Sequence, residues 1–179
     1  MKGEQGGGEA SVENKMVQLL YEKYGIEIYR YLYALCGSRE LAEDILQETF
    51  CKALLSLPDR HGNARAWLYM VGRNLMFNEK KKKSREIPEE TVEAGRMGHQ
   101  EDLPEQLALR REGEEELYRA LLKLDARKRE ILTLNYLDGL TLKEAAGIMG
   151  ISYENARVLS HRAKQEAKKL MEVKRDEVS

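Results

Sequence analysis

Apolar side chains recur along this chain at spacings of three and four, the mark of helices with one buried face. Met16, Val17, Leu20, Tyr24, Ile28, Tyr31, Leu32 and Leu35 form the first such series, and Gly37-Ser38 ends it. Ser38 is placed to cap a second helix, whose arc is Ala42, Leu46, Phe50, Ala53, Leu54 and Leu57, stopped by Pro58. After a loop from Pro58 to Asn63, a third helix from Ala64 to about Lys83 buries Trp67, Leu68, Val71 and Leu75. From Glu86 to Gly113 the pattern dissolves, apart from a possible turn at Leu107 to Leu109, and Pro88 and Pro104 interrupt any helix. Periodicity then resumes with Leu117, Leu121 and Leu124, and again with Ile131, Leu134 and Leu137, which Asp138-Gly139 brings to a stop. Thr141 and Glu144 have capping-box spacing and predict a short helix from Leu142 to Gly150; Ser152 can cap the last, Tyr153 to about Val173.

The pattern predicts an all-α protein of two small helical domains, residues 15–85 and 114–173, joined by an acidic linker over 86–113. Residues 1–14, with Gly6-Gly7-Gly8, read as a disordered tail, and 174–179 as a second tail. Composition agrees, with 34% charged residues, 7% aromatic residues and 3 prolines. The longest apolar runs, Tyr31 to Cys36 and Ala66 to Val71, are far short of the roughly 20 residues a membrane span needs. With no apolar leader and only Cys36 and Cys51, the expected compartment is the cytoplasm. Two cysteines and three scattered histidines provide no metal-ligand spacing, so neither metal nor cofactor is expected.

The net charge of −1 conceals segregation: −4 over residues 1–59, +7 over 60–85, −8 over 86–116 and +4 over 117–179. Two basic blocks flanking an acidic one suit two surfaces for a polyanion with a segment between them that avoids it; a solvated pattern without a partner is the alternative.

Three groups of residues could carry function. The stretch Thr141 to Arg162 is a helix-turn-helix, and the outward arc of its second helix holds Glu154, Arg157, Val158, His161, Arg162 and Gln165, side chains that suit base edges and methyl groups in a major groove. Asp44, Gln47 and Glu48 share one face of the second helix beside Leu41 and Ile45, an acidic-amide patch with an apolar rim that suits a protein partner. On the third helix Arg65, Tyr69, Arg73, Met76 and Lys80, with Asn74 and Asn78 beside them, interleave cations with aromatic and apolar groups. That combination suits unpaired nucleic acid. Trp67 belongs by periodicity to the core. A hydrolase built on Cys36 or Cys51 with His61 lacks any activating arrangement, and no catalytic residue is assigned.

These residues carry a resemblance. Ala42-Glu43-Asp44-Ile45-Leu46-Gln47-Glu48-Thr49-Phe50 resembles the core-binding segment of bacterial RNA polymerase sigma factors of the extracytoplasmic-function group. Ala66-Trp67-Leu68-Tyr69-Met70-Val71-Gly72-Arg73-Asn74-Leu75 resembles the promoter-melting segment, and Thr141 to Ala163 the C-terminal helix-turn-helix. The resemblance implies a sigma-two-like and a sigma-four-like domain, no catalysis, and promoter-specific initiation with core polymerase. Asp44, Gln47, Glu48, Leu41 and Ile45 would meet the β′ coiled coil, with the β subunit also a partner. His61, Asn63, Arg65, Tyr69, Arg73, Asn74 and Lys80 would engage the minus-ten element. Ser152, Glu154, Asn155, Arg157, Val158, His161, Arg162 and Gln165 would engage the minus-thirty-five element. An anti-sigma factor is a further implied partner, with no membrane insertion. Gly72 stands where the family more often has Ala. The alternative is a helix-turn-helix regulator that is not a polymerase subunit.

Overall fold

The computed structural model describes residues 7–56, 62–86 and 119–178, and among them every regular element is helical. Helices α1 (Gly7–Cys36), α2 (Arg39–Ser56) and α3 (Ala64–Glu86) form the first unit. Helix α1 begins well ahead of Lys15, inside the expected tail. Once its C-terminal half is packed, each further helical residue adds a hydrogen bond without the cost of a new nucleus, and Glu9, Ala10 and Glu13 are good helix formers.

Gly37, at φ +68°, reverses the chain, its N–H donating to Tyr33 O at 2.8 Å. The Leu41 N–H donates to Ser38 Oγ at 3.3 Å, so the expected cap of α2 is in place. Ile28, Tyr31, Leu32 and Leu35 of α1 meet Ala42, Leu46, Phe50 and Ala53 of α2 in the core, as the periodicity requires. Met16 and Leu54 are instead exposed, because they lie beyond the stretch that α3 covers. Leu57 and His61 lie outside the described residues. Thr49 is buried and returns its hydroxyl to Ile45 O at 2.7 Å. A Cβ on Gly72 would stand 3.3 Å from Leu32 Cδ2 and from Thr49 Oγ1, so glycine lets α3 lie close against both α1 and α2.

The second unit comprises helical residues 119–123 (α4), α5 (Ala126–Leu132), a widened π turn at Thr133–Leu137, α6 (Leu142–Met149) and α7 (Tyr153–Val178). Leu117 and the linker expected over 86–113, beyond Glu86, lie outside the described residues. Asp125 caps α5 by accepting from the Lys128 N–H at 3.0 Å. The π turn, absent from the sequence-based reading, is closed by the Asp138 N–H donating to Thr133 O at 3.0 Å, and Gly139 at φ +70° then turns the chain into α6. Helix α7 continues to Val178, past the expected end at Val173.

The two units pack on one another. Helix α5 and the π turn lie against α1, and α6 lies against α3. At the C-terminal end of α1, Arg129 donates to Ala34 O at 3.0 Å and Lys80 to Leu35 O at 2.6 Å, placing cations on carbonyls that have no helical partner.

Candidate polymerase and promoter surfaces

The helix-turn-helix is built by local chemistry. Thr141 Oγ1 accepts from the Glu144 N–H at 3.2 Å while Glu144 accepts from the Thr141 N–H at 2.8 Å, a complete capping box. These bonds hold the Glu144 carboxyl below its ordinary value, the backbone bond from Thr141 contributing most. Gly150 takes the left-handed conformation at φ +65°, and the Ile151 N–H reaches back to Ala146 O at 3.0 Å. Ser152 Oγ then accepts from the Asn155 N–H at 3.2 Å and starts α7. Ala156, Ala163 and Ala167 point into the core; these small residues bring α7 close to α5 and α6. Ser152, Glu154, Asn155, Arg157, Val158, His161, Arg162 and Gln165 are all exposed. Arg157 makes only a loose ion pair with Glu154, at 3.9 Å, and both side chains are mostly solvated.

On α2, Asp44, Gln47 and Glu48 are exposed on one face, and Leu41 is half-buried at its edge. Ile45 is corrected from rim to core: it is 2% exposed, because α3 packs on the side of α2 that carries both Ile45 and Thr49.

The expected nucleic-acid stripe of α3 is rearranged. Tyr69 and Met76 are completely buried, and Arg65 and Arg73 are half-buried, because this side of α3 faces the second unit rather than solvent. Tyr69 donates its hydroxyl to Asp138 Oδ2 at 2.8 Å. Arg73 donates to Glu130 through Nε at 2.6 Å, and the Tyr31 hydroxyl donates to the same Glu130 oxygen at 2.7 Å. Arg65 grips Glu27 with Nε at 2.6 Å and Nη2 at 3.0 Å and also donates to Asp138 O; Arg30 lies 3.6 Å from Asp138 Oδ1. Burial raises the Tyr69 and Tyr31 phenols, with Asp138 and Glu130 adding to the rise respectively. The bond to Glu27 raises Arg65 against the opposing effect of burial. Burial works to lower Arg73, but its hydrogen bond to Glu130 prevails and the net shift is upward.

Asn63 caps α3, accepting from the Ala66 N–H at 3.0 Å, and its amide reaches Glu144 at 3.4 Å. Asn74 remains exposed, on an open arc of α3 with Met70, Phe77, Asn78 and Lys81. The Arg73 guanidinium lies 4.5 Å from the Phe77 ring centroid. The sequence-based reading missed Phe77, Glu27, Arg30, Glu130 and Asp138. One signal was available: a tyrosine at a core position, such as Tyr31, needs a hydroxyl partner, although nothing local says which.

Comparisons with known proteins follow the two units. Residues 20–86 match the family Sigma-70 region 2, and residues 114–166 match Sigma-70, region 4. ECF RNA polymerase sigma factor SigM of Bacillus subtilis (strain 168) is 33% identical over 153 residues, covering 84% of this chain and 92% of that protein. RNA polymerase sigma factor YlaC of the same organism is 32% identical over 164 residues, covering 90% and 95%. Among solved structures, the sigma factor RpoE in complex with the anti-sigma factor NepR from Bartonella quintana aligns with a TM-score of 0.63 at 23% identity, covering 87% of this chain and 98% of that one. CnrH in complex with the cytosolic domain of CnrY aligns at 0.61 and 24%, covering 92% of both. At these identities the two structures show the shared fold.

Proposed function

Given that this chain belongs to the ECF RNA polymerase sigma factors, which direct promoter-specific transcription initiation, we propose that three exposed surfaces divide that work among them. The α2 face of Asp44, Gln47 and Glu48, edged by Leu41, meets the β′ coiled coil of core polymerase. The arc of α7 enters the major groove of the minus-thirty-five element, with Arg157, His161, Arg162 and Gln165 reading base edges around Val158. The open arc of α3 takes the minus-ten strand. There Phe77 supplies a stacking face, Asn74 and Asn78 supply amides, and Lys81 holds phosphate.

The observation that carries this reading is the complete exposure of the α7 arc behind a turn whose caps are all satisfied. A regulator outside polymerase would use that arc equally well but would leave the α2 face without a purpose. The protein acts by binding, with no chemical step of its own, and it works in the cytoplasm, where polymerase and promoter meet. No helix among the described residues is long and apolar enough to cross a membrane.

An anti-sigma factor is a further partner by analogy with the RpoE–NepR complex. The apolar groove of Leu121, Leu132, Tyr136 and Met171, rimmed by Lys164 and Lys168, suits an amphipathic helix with an acidic edge.

The test is core-polymerase binding and run-off transcription with Asp44→Ala combined with Gln47→Ala. Helical content is expected to stay intact while core affinity falls by about 1 to 3 kcal/mol, the range for interface anchors. Unchanged affinity would remove the α2 face from the interface.

A further inference from the structure

The internal side of α3 and the facing side of α1 present three guanidinium groups, of Arg30, Arg65 and Arg73, and two phenol hydroxyls, of Tyr31 and Tyr69, toward one region. Every one of these groups is a hydrogen-bond donor there. What fills the region is acidic: the carboxylates of Glu130 and Asp138 from the second unit, both almost fully buried. A cradle of donors formed by one unit and occupied by carboxylates of another is a built anion site. Guanidinium groups accept phosphate oxygens with the same fork geometry that they offer carboxylates.

The closed arrangement cannot serve a promoter as it stands. Elements named for positions minus ten and minus thirty-five lie about 85 Å apart at roughly 3.4 Å per base pair. A compact chain of this length has a radius of gyration of only about 16 Å. One molecule cannot hold both elements while Glu130 and Asp138 remain in the cradle, so engagement of the two requires the units to part. Parting uncovers the donors of α1 and α3 beside the open arc that carries Phe77.

We propose that the cradle of Arg30, Tyr31, Arg65, Tyr69 and Arg73 is a phosphate-binding site for promoter DNA, which Glu130 and Asp138 occupy as internal competitors in the free protein. Closure and minus-ten binding are then mutually exclusive, and the free sigma factor is held off DNA by its own second domain. This inference rests on the sigma-factor reading above.

Two experiments test it, both on the full chain with a fluorescent single-stranded minus-ten oligonucleotide. In the first, Asn63→Cys and Glu144→Cys, whose native side chains touch across the units, are joined by a reducible bis-maleimide in a background carrying Cys36→Ser and Cys51→Ser. The joined chain is expected to bind at least tenfold more weakly than the same chain after reduction. Equal binding before and after reduction overturns the proposal.

In the second, Glu130→Gln is combined with Asp138→Asn, and the units are followed by energy transfer between dyes at Leu55→Cys and Val173→Cys in the same cysteine-free background. The expected result is a longer distance together with an oligonucleotide affinity raised at least tenfold and steeper in salt. Arg73→Ala is expected to lengthen the distance without that gain, because it removes part of the cradle itself. A longer distance with no gain in affinity for the carboxylate variant, or no change in distance, overturns the proposal. Binding of core polymerase to the same preparations reports separately on the sigma-factor reading, since the α2 face lies outside the cradle.

Discussion

The outward arc of α7 and the inward stripe of α3 look alike in sequence, each a helix face of cations interleaved with amide or aromatic groups, yet they have opposite fates. The α7 arc is solvated from Ser152 to Gln165 wherever a base-reading residue was expected. The α3 stripe is covered, with Tyr69 and Met76 fully buried and Arg65 and Arg73 paired to carboxylates. The difference lies in what the opposite face of each helix satisfies. Helix α7 buries a face of small and aliphatic residues and asks nothing more of its neighbours. Helix α3 is packed on two sides, by α1 and α2 through Leu68 and Gly72 and by the second unit through Tyr69 and Arg73. A cationic stripe therefore identifies a nucleic-acid face only when no acidic element of the same chain can reach it.

The comparison is broken most decisively by aromatic truncation. Tyr69→Ala, which removes a fully buried ring and its bond to Asp138, is expected to cost about 3 to 5 kcal/mol of stability. Val158→Ala, on a side chain 47% exposed, is expected to change stability by less than about 0.5 kcal/mol. Urea unfolding of both variants checks this, and equal effects would mean that α3 is as free as α7.

The next largest effect concerns base readout. Arg157→Ala is expected to cost about 1 to 3 kcal/mol at one or two base positions of a minus-thirty-five library, whereas Lys168→Ala lowers affinity for all sequences alike and reduces the salt slope by up to about one. Binding across the library at two salt concentrations separates the two. A uniform loss for Arg157→Ala would make it a phosphate contact.

Two glycines sharpen the contrast further. Gly147 is exposed on α6 and has nothing within 4 Å of an added Cβ, so Gly147→Ala is expected to stabilise by about 0.5 to 1 kcal/mol through helix propensity. Gly72→Ala gains the same propensity but drives a methyl against Leu32 and Thr49, and overpacking of about 1 to 3 kcal/mol gives a net loss. Calorimetric melting of the pair shows opposite signs.

The smallest effect is a pH dependence. The Glu144 carboxyl titrates below its ordinary 4.5, chiefly through the backbone bond from Thr141. Its contribution is therefore present above pH 4.5 and lost as pH falls through the lowered value. Glu144→Gln is expected to melt below wild type at pH 7, and the two curves converge in acid, as melting temperatures measured across that range will show.

What the sequence by itself determined is whatever bonds within a few residues can decide. The capping box at Thr141, the left-handed Gly150, the Ser152 cap and the Ser38 cap are local hydrogen-bonding solutions, so residue type and spacing state them outright. The exposed arc of α7 and the α2 face of Asp44, Gln47 and Glu48 follow from helical period alone. Tertiary structure decided the rest. Ile45 belongs to the core because α3 lies across it, and Gly72 serves a close approach that only the facing Leu32 and Thr49 reveal. The cradle depends on Glu130 and Asp138 meeting Tyr31, Tyr69 and Arg73 from 57 to 99 residues away in the chain. Buried charges must find their complements wherever the fold brings them, and a pattern read along one helix carries no information about which distant carboxylate its arginines will meet.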